Sequence, residues 1–175
     1  MQSQTPEGLI PDIAPEYTVF EGGFRDSPEW GSSGIILPWY AYEWYGDKRV
    51  LEASYAMMKS YAGYLEKSSK DHLLKFGLGD WYDIGPNPPG VSQLTPPGIT
   101  STAIYYYDLT ILSRVASLLG KDPDAAYYKE LGGEVKDAFN LAFFNVKTAQ
   151  YGTGSQTANA MAVYMGLVDR RIKRR

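Results

Sequence analysis

One pattern governs what this chain can fold into: an apolar helix, a glycine, a short turn, a polar-faced helix and then a long loop. It occurs twice and begins a third time, with Gly46, Gly120 and Gly166 as the turn glycines. Their spacings of 74 and 46 residues do not fit the fixed periods of tetratricopeptide or HEAT arrays. Alternating buried and half-exposed helices predict an all-α double ring, with buried helices inside and amphipathic helices outside. Short turns then lie at one end and long loops at the other, and a site belongs to the long-loop end.

Residues 1–33 read as an irregular lead-in, and residues 34–175 as helical hairpins. The first helix is expected over about 34–45, nearly all apolar, with Pro38 in its early turns. The second runs from Lys48 to Ser68, preceded by Asp47 as a cap. Its apolar residues Val50, Leu51, Tyr55, Met58, Tyr61, Ala62 and Leu65 recur at three and four. In the loop Gly77–Thr100, Pro86, Pro88, Pro89, Pro96 and Pro97 oppose regular structure. Thr100 or Ser101 is expected to cap a third helix, Thr102–Leu119. Asp122-Pro123 signals the start of a fourth, to about Phe144. Asn145–Ser155 reads as irregular, Gln156–Leu167 as a fifth helix, and Asp169 as the cap of a sixth. The basic residues Arg170, Arg171, Lys173, Arg174 and Arg175 would be the exposed start of that helix, opposing its dipole.

Composition narrows the function. The net charge of -3 argues against nucleic acid as a partner. There is no run of about 18 apolar residues, so no membrane span is expected. With no Cys and a single His72, thiolate chemistry, a Ser-His-Asp triad and a His- or Cys-built metal site have no basis. Neither metal nor cofactor is expected. Gly152-Thr153-Gly154 lacks the lysine of a phosphate loop. The 15 tyrosines and 4 tryptophans suit packed helices and sugar-binding walls alike.

The candidate site residues sit in loops of glycine, carboxylate and tryptophan. Gly22–Ser33 carries Asp26, Glu29 and Trp30; Gly77–Thr100 carries Asp80, Trp81 and Asp83; Asn145–Ser155 carries Tyr151. Trp30 and Trp81 are expected to meet at one mouth, as walls of a carbohydrate pocket. Trp39 and Trp44, on the apolar helix, read as core. Glu29 and Asp80 are the pair that residue type alone selects for glycoside hydrolysis, because inverting enzymes use two carboxyls spaced for a water. The other reading of these carboxylates is that they cap helices and tie loops down. His72, after a charged turn, reads as a surface or packing residue.

Several segments resemble bacterial α-L-rhamnosidases of glycoside hydrolase family 78. They are Ile10-Pro11-Asp12-Ile13-Ala14-Pro15, Asp26-Ser27-Pro28-Glu29-Trp30-Gly31-Ser32, Pro38-Trp39, Tyr45-Gly46-Asp47, Asp71-His72-Leu73-Leu74, Gly77-Leu78-Gly79-Asp80-Trp81, Ser101-Thr102-Ala103 and Ser155-Gln156-Thr157-Ala158. They fall in the family's order across nearly the whole chain. The resemblance implies an (α/α)6 toroid, of which this chain is about three of six hairpins from the middle of a catalytic domain. It implies an inverting enzyme acting on terminal α-L-rhamnosides. Its acid lies just upstream of Pro11-Asp12 and its base far downstream, so no residue of this chain is implied as catalytic. Trp30 and Trp81 match tryptophans that wall the rhamnose pocket. With Asp26 and Asp80 they are the expected substrate-binding residues, and the resemblance favours loop-tying or hydroxyl binding for Asp26, Glu29, Asp80 and Asp83.

Another glycosidase or lyase on the same toroid is the alternative within enzymes. A non-catalytic helical interaction module is the alternative outside them, but it calls for short, uniform loops that this chain lacks. Half a toroid would also leave the helices around Ile35–Trp44 and Ala158–Val168 with bare apolar faces, and self-association across them is expected.

Overall fold

The computed structural model describes residues 3–169. After a 3-10 turn at Gly22–Phe24, six α-helices follow: α1 (Pro28–Gly31), α2 (Ser33–Tyr45), α3 (Arg49–Ser68), α4 (Pro97–Leu118), α5 (Asp122–Phe143) and α6 (Gln156–Tyr164). A two-stranded antiparallel hairpin, β1 (Phe144–Asn145) and β2 (Gln150–Tyr151), joins α5 to α6. The fold is helical, as the periodicity predicts.

α2 and α3 form one hairpin, α4 and α5 a second, and α6 begins a third. Ser32 meets Asp108, and further along Trp39 meets Arg114, so α2 and α4 run parallel. Outside them, Tyr55 and Lys59 of α3 both bond Asp124 of α5, and Tyr127 bonds Glu66, so α3 and α5 run parallel too. The two turns after Tyr45 and Leu118 therefore share one end, where the Lys121 ammonium lies 5.3 Å from the Tyr55 ring. The loops that precede α2 and α4 share the other.

α4 is buried almost all round and carries the core with α3. Leu51, Met58, Tyr61 and Leu65 of α3 interlock with Tyr105, Leu109, Leu112 and Val115 of α4 and with Leu131 and Val135 of α5. A second cluster, Ile99, Ala103, Phe139, Tyr151, Ala158 and Ala162, seats α6 and the hairpin. Tyr151, read as a loop residue of the functional end, is thus core: its hydroxyl donates to Asn140 at 2.6 Å.

Several boundaries differ from expectation. The lead-in is not wholly irregular, since Trp30 lies in α1 rather than in a loop. α4 starts at Pro97, not Thr102. Proline is pre-organised for a first helical position, so Pro96-Pro97 ends the loop and opens the helix. Thr100 and Ser101 do not cap it; the Ser101 hydroxyl donates back to the Pro97 carbonyl, and the Thr100 hydroxyl, 2.9 Å from that carbonyl, donates to Glu29. Asp47, as expected, accepts the Arg49 N–H at 2.9 Å. α6 stops at Tyr164, and the expected sixth helix and its basic residues from Arg170 lie outside the described residues.

α2 is not fully buried. Only Ile35 and Trp39 are, whereas Leu37 is 63% and Trp44 81% exposed, and Val163 and Tyr164 of α6 are 66% and 72%. Trp44 is therefore not core. α2 packs on its hairpin partner, on α4 and on the short α1, Ile10 of the lead-in covers Gly34, and Tyr40 meets Tyr164 of α6, yet an apolar face stays exposed.

Burial fixes the expected response to mutation. Leu112→Ala, at a fully buried position, should destabilise by about 2–5 kcal/mol. Leu141→Ala, at an exposed one, should stay within about 0.5 kcal/mol. Urea denaturation of both variants makes the comparison.

Candidate functional site

At the long-loop end the three loops converge. Thr95 and Ser155 share a hydroxyl bond of 2.7 Å, and Thr153 donates to the Leu94 carbonyl. Beside them Trp30 and Trp81 meet edge to face, centroids 5.7 Å apart. Phe24 packs on Trp81 at 6.5 Å. Trp30 is 44% and Trp81 42% exposed, so neither ring is core. Together with Asp12, Ile13 and Leu78, the three rings line a cleft of about 240 Å³.

Asp12 is the residue that the sequence reading passes over. Its Oδ1 accepts the Ser27 N–H at 3.0 Å, while Oδ2 is buried without a partner. Burial pushes its carboxyl up to about 7, and the nearby charges of Asp26 and Glu29 add to the rise. Its depth comes from a contact with a residue 15 positions on, which no local pattern reveals.

The other carboxylates are mostly engaged. Asp26 accepts the Tyr64 hydroxyl, and burial raises its pKa against that bond and the charge of Arg25. Glu29 accepts from Ser27 Oγ at 2.5 Å and from the Thr100 hydroxyl; burial raises it despite both bonds. Asp80 accepts from Thr95 Oγ1 at 3.1 Å. Asp83 accepts three successive backbone N–H groups, from Gln93, Leu94 and Thr95, at 2.6–2.8 Å. Desolvation works against its charge, yet the three donors together hold its carboxyl below the usual range. Of the four expected binding residues, Trp30 and Trp81 are brought to the cleft, while Asp26 and Asp80 are not among its lining. Among the described residues, no group of three or more His, Cys, Asp or Glu is arranged to hold a metal ion.

A larger cleft of about 620 Å³ lies between the end of α3 and α5. Its walls include Glu66, Asp71, Glu130 and Glu134, and His72 sits 3.8 Å from Glu134. Tyr127 alone of its lining residues is a Phe, Tyr or Trp, so it lacks the opposed apolar faces on which a neutral sugar stacks.

Paired inner and outer helices, with an aromatic cleft where the long loops meet, define the architecture of helical-hairpin glycosidases. The chain belongs to the family described as the bacterial alpha-L-rhamnosidase 6 hairpin glycosidase domain, whose family model matches residues 1–175. It is 32% identical over 168 residues to an alpha-L-rhamnosidase of Streptomyces avermitilis, covering 95% of this chain and 15% of that protein. One from Formosa agariphila is 30% identical over 95% of this chain and 18% of its own. The solved alpha-L-rhamnosidase from Dictyoglumus thermophilum superposes with a TM-score of 0.84 at 34% identity, over 98% of this chain and 19% of that one. The Streptomyces avermitilis enzyme, solved in complex with L-rhamnose, superposes at 0.83 with 29% identity over 98% and 16%. The chain thus spans under a fifth of the length of these relatives.

The raised carboxyl of Asp12 sets a pH dependence. Its pKa of about 7 in the fold exceeds the unfolded value of about 3.9. Between these values the folded chain holds a proton that the unfolded chain has lost. Its contribution to stability is therefore full below about pH 4 and disappears as the pH rises through about 7. Asp26 and Glu29, also raised, act with the same sign. Asp12→Asn keeps the acceptor for Ser27 and removes the titration. Its urea midpoint should gain on the wild type steadily from about pH 4 to about pH 8; a constant difference would contradict the assignment.

Proposed function

We propose that this chain is the part of an inverting α-L-rhamnosidase catalytic domain that walls the sugar-binding cleft. The observation that carries this reading is the Trp30–Trp81 pair, half-exposed, in a chain that belongs to the rhamnosidase hairpin family. A neutral deoxysugar presents C–H faces to aromatic rings and hydroxyls to polar groups. Trp30, Trp81 and Phe24 supply the first, and Asp12 borders the same cleft. Asp26 and Asp80 act as supports behind the walls.

Hydrolysis with inversion needs one carboxylic acid at the leaving oxygen and one carboxylate to activate water. Glu29 and Asp80 are poor candidates for either, since both already accept hydroxyls within the fold. The chain alone is therefore expected to leave an aryl α-L-rhamnoside intact. Turnover within about tenfold of a full-length relative would return Glu29 and Asp80 to proton transfer.

Binding is tested separately. L-rhamnose should perturb the tryptophan emission of the chain saturably. Trp81→Ala should weaken that binding about tenfold or more, yet change stability by no more than about 1 kcal/mol.

The bare face of α2 and α6 points to assembly. Leu37, Trp44, Val163 and Tyr164 are exposed together on inner helices, and such a patch marks an interface. We infer self-association across it, most simply as a twofold dimer. Sedimentation at several concentrations should show a mass that rises with concentration and falls back in Trp44→Glu. A monomer throughout would overturn this.

A further inference from the structure

We propose that Glu29 is the positioning residue that sets the geometry of the Trp30–Trp81 cleft. This rests on the sugar-cleft reading for its function but not for its geometry. Glu29 precedes Trp30 in α1, and its carboxylate is absent from the cleft lining. It turns inward between the two tryptophan segments. Oε2 accepts from Ser27 Oγ and Oε1 from Thr100 at the start of α4. Ser27 Oγ in turn accepts the Leu78 N–H at 2.9 Å. The chain of bonds therefore runs from the backbone just before Trp81, through one hydroxyl, to the side chain just before Trp30.

The link is dry: Ser27, Leu78 and Thr100 are 1%, 2% and 2% exposed. It is also tight. A Cβ added to Gly77 would stand 2.6 Å from Glu29 Oε2 and 3.1 Å from Ser27 Oγ, and Gly77 has a φ of +110°. The backbone of the second segment is pressed directly onto the carboxylate. Gly23 packs on the same spot, its added Cβ lying 3.0 Å from the Gly77 carbonyl. All three cleft rings leave from this knot: Phe24 follows Gly23, Trp30 follows Glu29, and Trp81 follows Gly79-Asp80.

Only a carboxylate suits this place. Both hydroxyls arrive as donors, and Glu offers two acceptor oxygens. A glutamine has one acceptor and an NH2 group that must face one of the hydroxyls. Turned to Thr100, that NH2 sends the Thr100 hydrogen to the Pro97 carbonyl 2.9 Å away and puts an N–H···O contact of about 2.9 Å in place of a short O–H···O bond, which pushes α1 away from α4. Asp is one methylene too short to reach Thr100 while holding Ser27.

The test reads ring geometry directly. Two tryptophans in edge-to-face contact give an exciton couplet in circular dichroism, assigned to this pair by its loss in Trp81→Phe. Glu29→Gln should keep the helical spectrum and a cooperative melt, lose most of the couplet, and bind L-rhamnose about tenfold more weakly. A couplet of wild-type amplitude in that variant overturns the proposal. Should Glu29→Gln fail to fold, Thr100→Val removes one donor without changing shape. It should reduce the couplet in part, and an unchanged couplet overturns the proposal equally. If the wild-type chain shows the couplet but no response to L-rhamnose, the sugar reading fails, while the couplets of the variants still decide the role of Glu29.

Discussion

The helix α4 is buried on nearly every side, and that burial organises the rest of the molecule. A buried polar group costs free energy unless it is bonded, and three polar side chains on α4 find their partners in other segments. Thr100 takes Glu29 from α1. Thr102 bonds both the N–H and the carbonyl of Leu74, which pins the strand of chain leading to Trp81. Asp108, with no exposed surface, takes the hydroxyl of Ser32 at the head of α2 at 2.5 Å. Burial pushes its carboxyl far up, and its other oxygen is buried without a partner. Three polar residues on one helix thus fix the lead-in, the long loop and the neighbouring inner helix.

Much of this fold is legible in the sequence because helical periodicity and turn glycines are local signals. α3 follows from its apolar spacing, α5 from the start signal Asp122-Pro123, and the turns at Gly46 and Gly120 from glycine after an apolar run. What fails is local too, but ambiguous. Pro96-Pro97 reads equally as a loop or as the opening of a helix, and only the packing of Ile99 and Thr100 decides. Trp44 fails for another reason: an apolar helix specifies that it is to be buried, not what buries it. In the site, the two tryptophans were legible from their glycine-rich surroundings. Asp12 was not, because its burial depends on the return of the chain at Ser27.

The carboxylates near the long-loop end show what residue type cannot say. Asp12, Asp26, Glu29, Asp80 and Asp83 are chemically alike in the sequence, and the structure separates them by their donors. Asp83 gathers three backbone N–H groups and is held ionised. Glu29 gathers two hydroxyls in a dry place and is raised. Asp12 has one N–H donor and a bare buried oxygen, and burial pushes it up to about 7. The number and kind of donors, set against the depth of burial, sort five similar groups into loop ties and one carboxyl at a cleft.

The cleft and the bare helix faces then place different demands on the same ring. Phe24, Trp30, Leu78, Trp81 and Asp12 all come from the lead-in, α1 and the loop before α4, and those segments are bonded to one another and to α4, with Asp12 Oδ2 left bare. No residue of α6 lines the cleft. Leu37, Trp44, Val163 and Tyr164 are exposed on other elements, where covering apolar area needs no directional bonds. The aromatic wall of the cleft is therefore held by directional hydrogen bonds to a buried helix, and the exposed faces of α2 and α6 are left to non-directional burial. That division allows the aromatic wall to keep its shape whatever covers the inner helices.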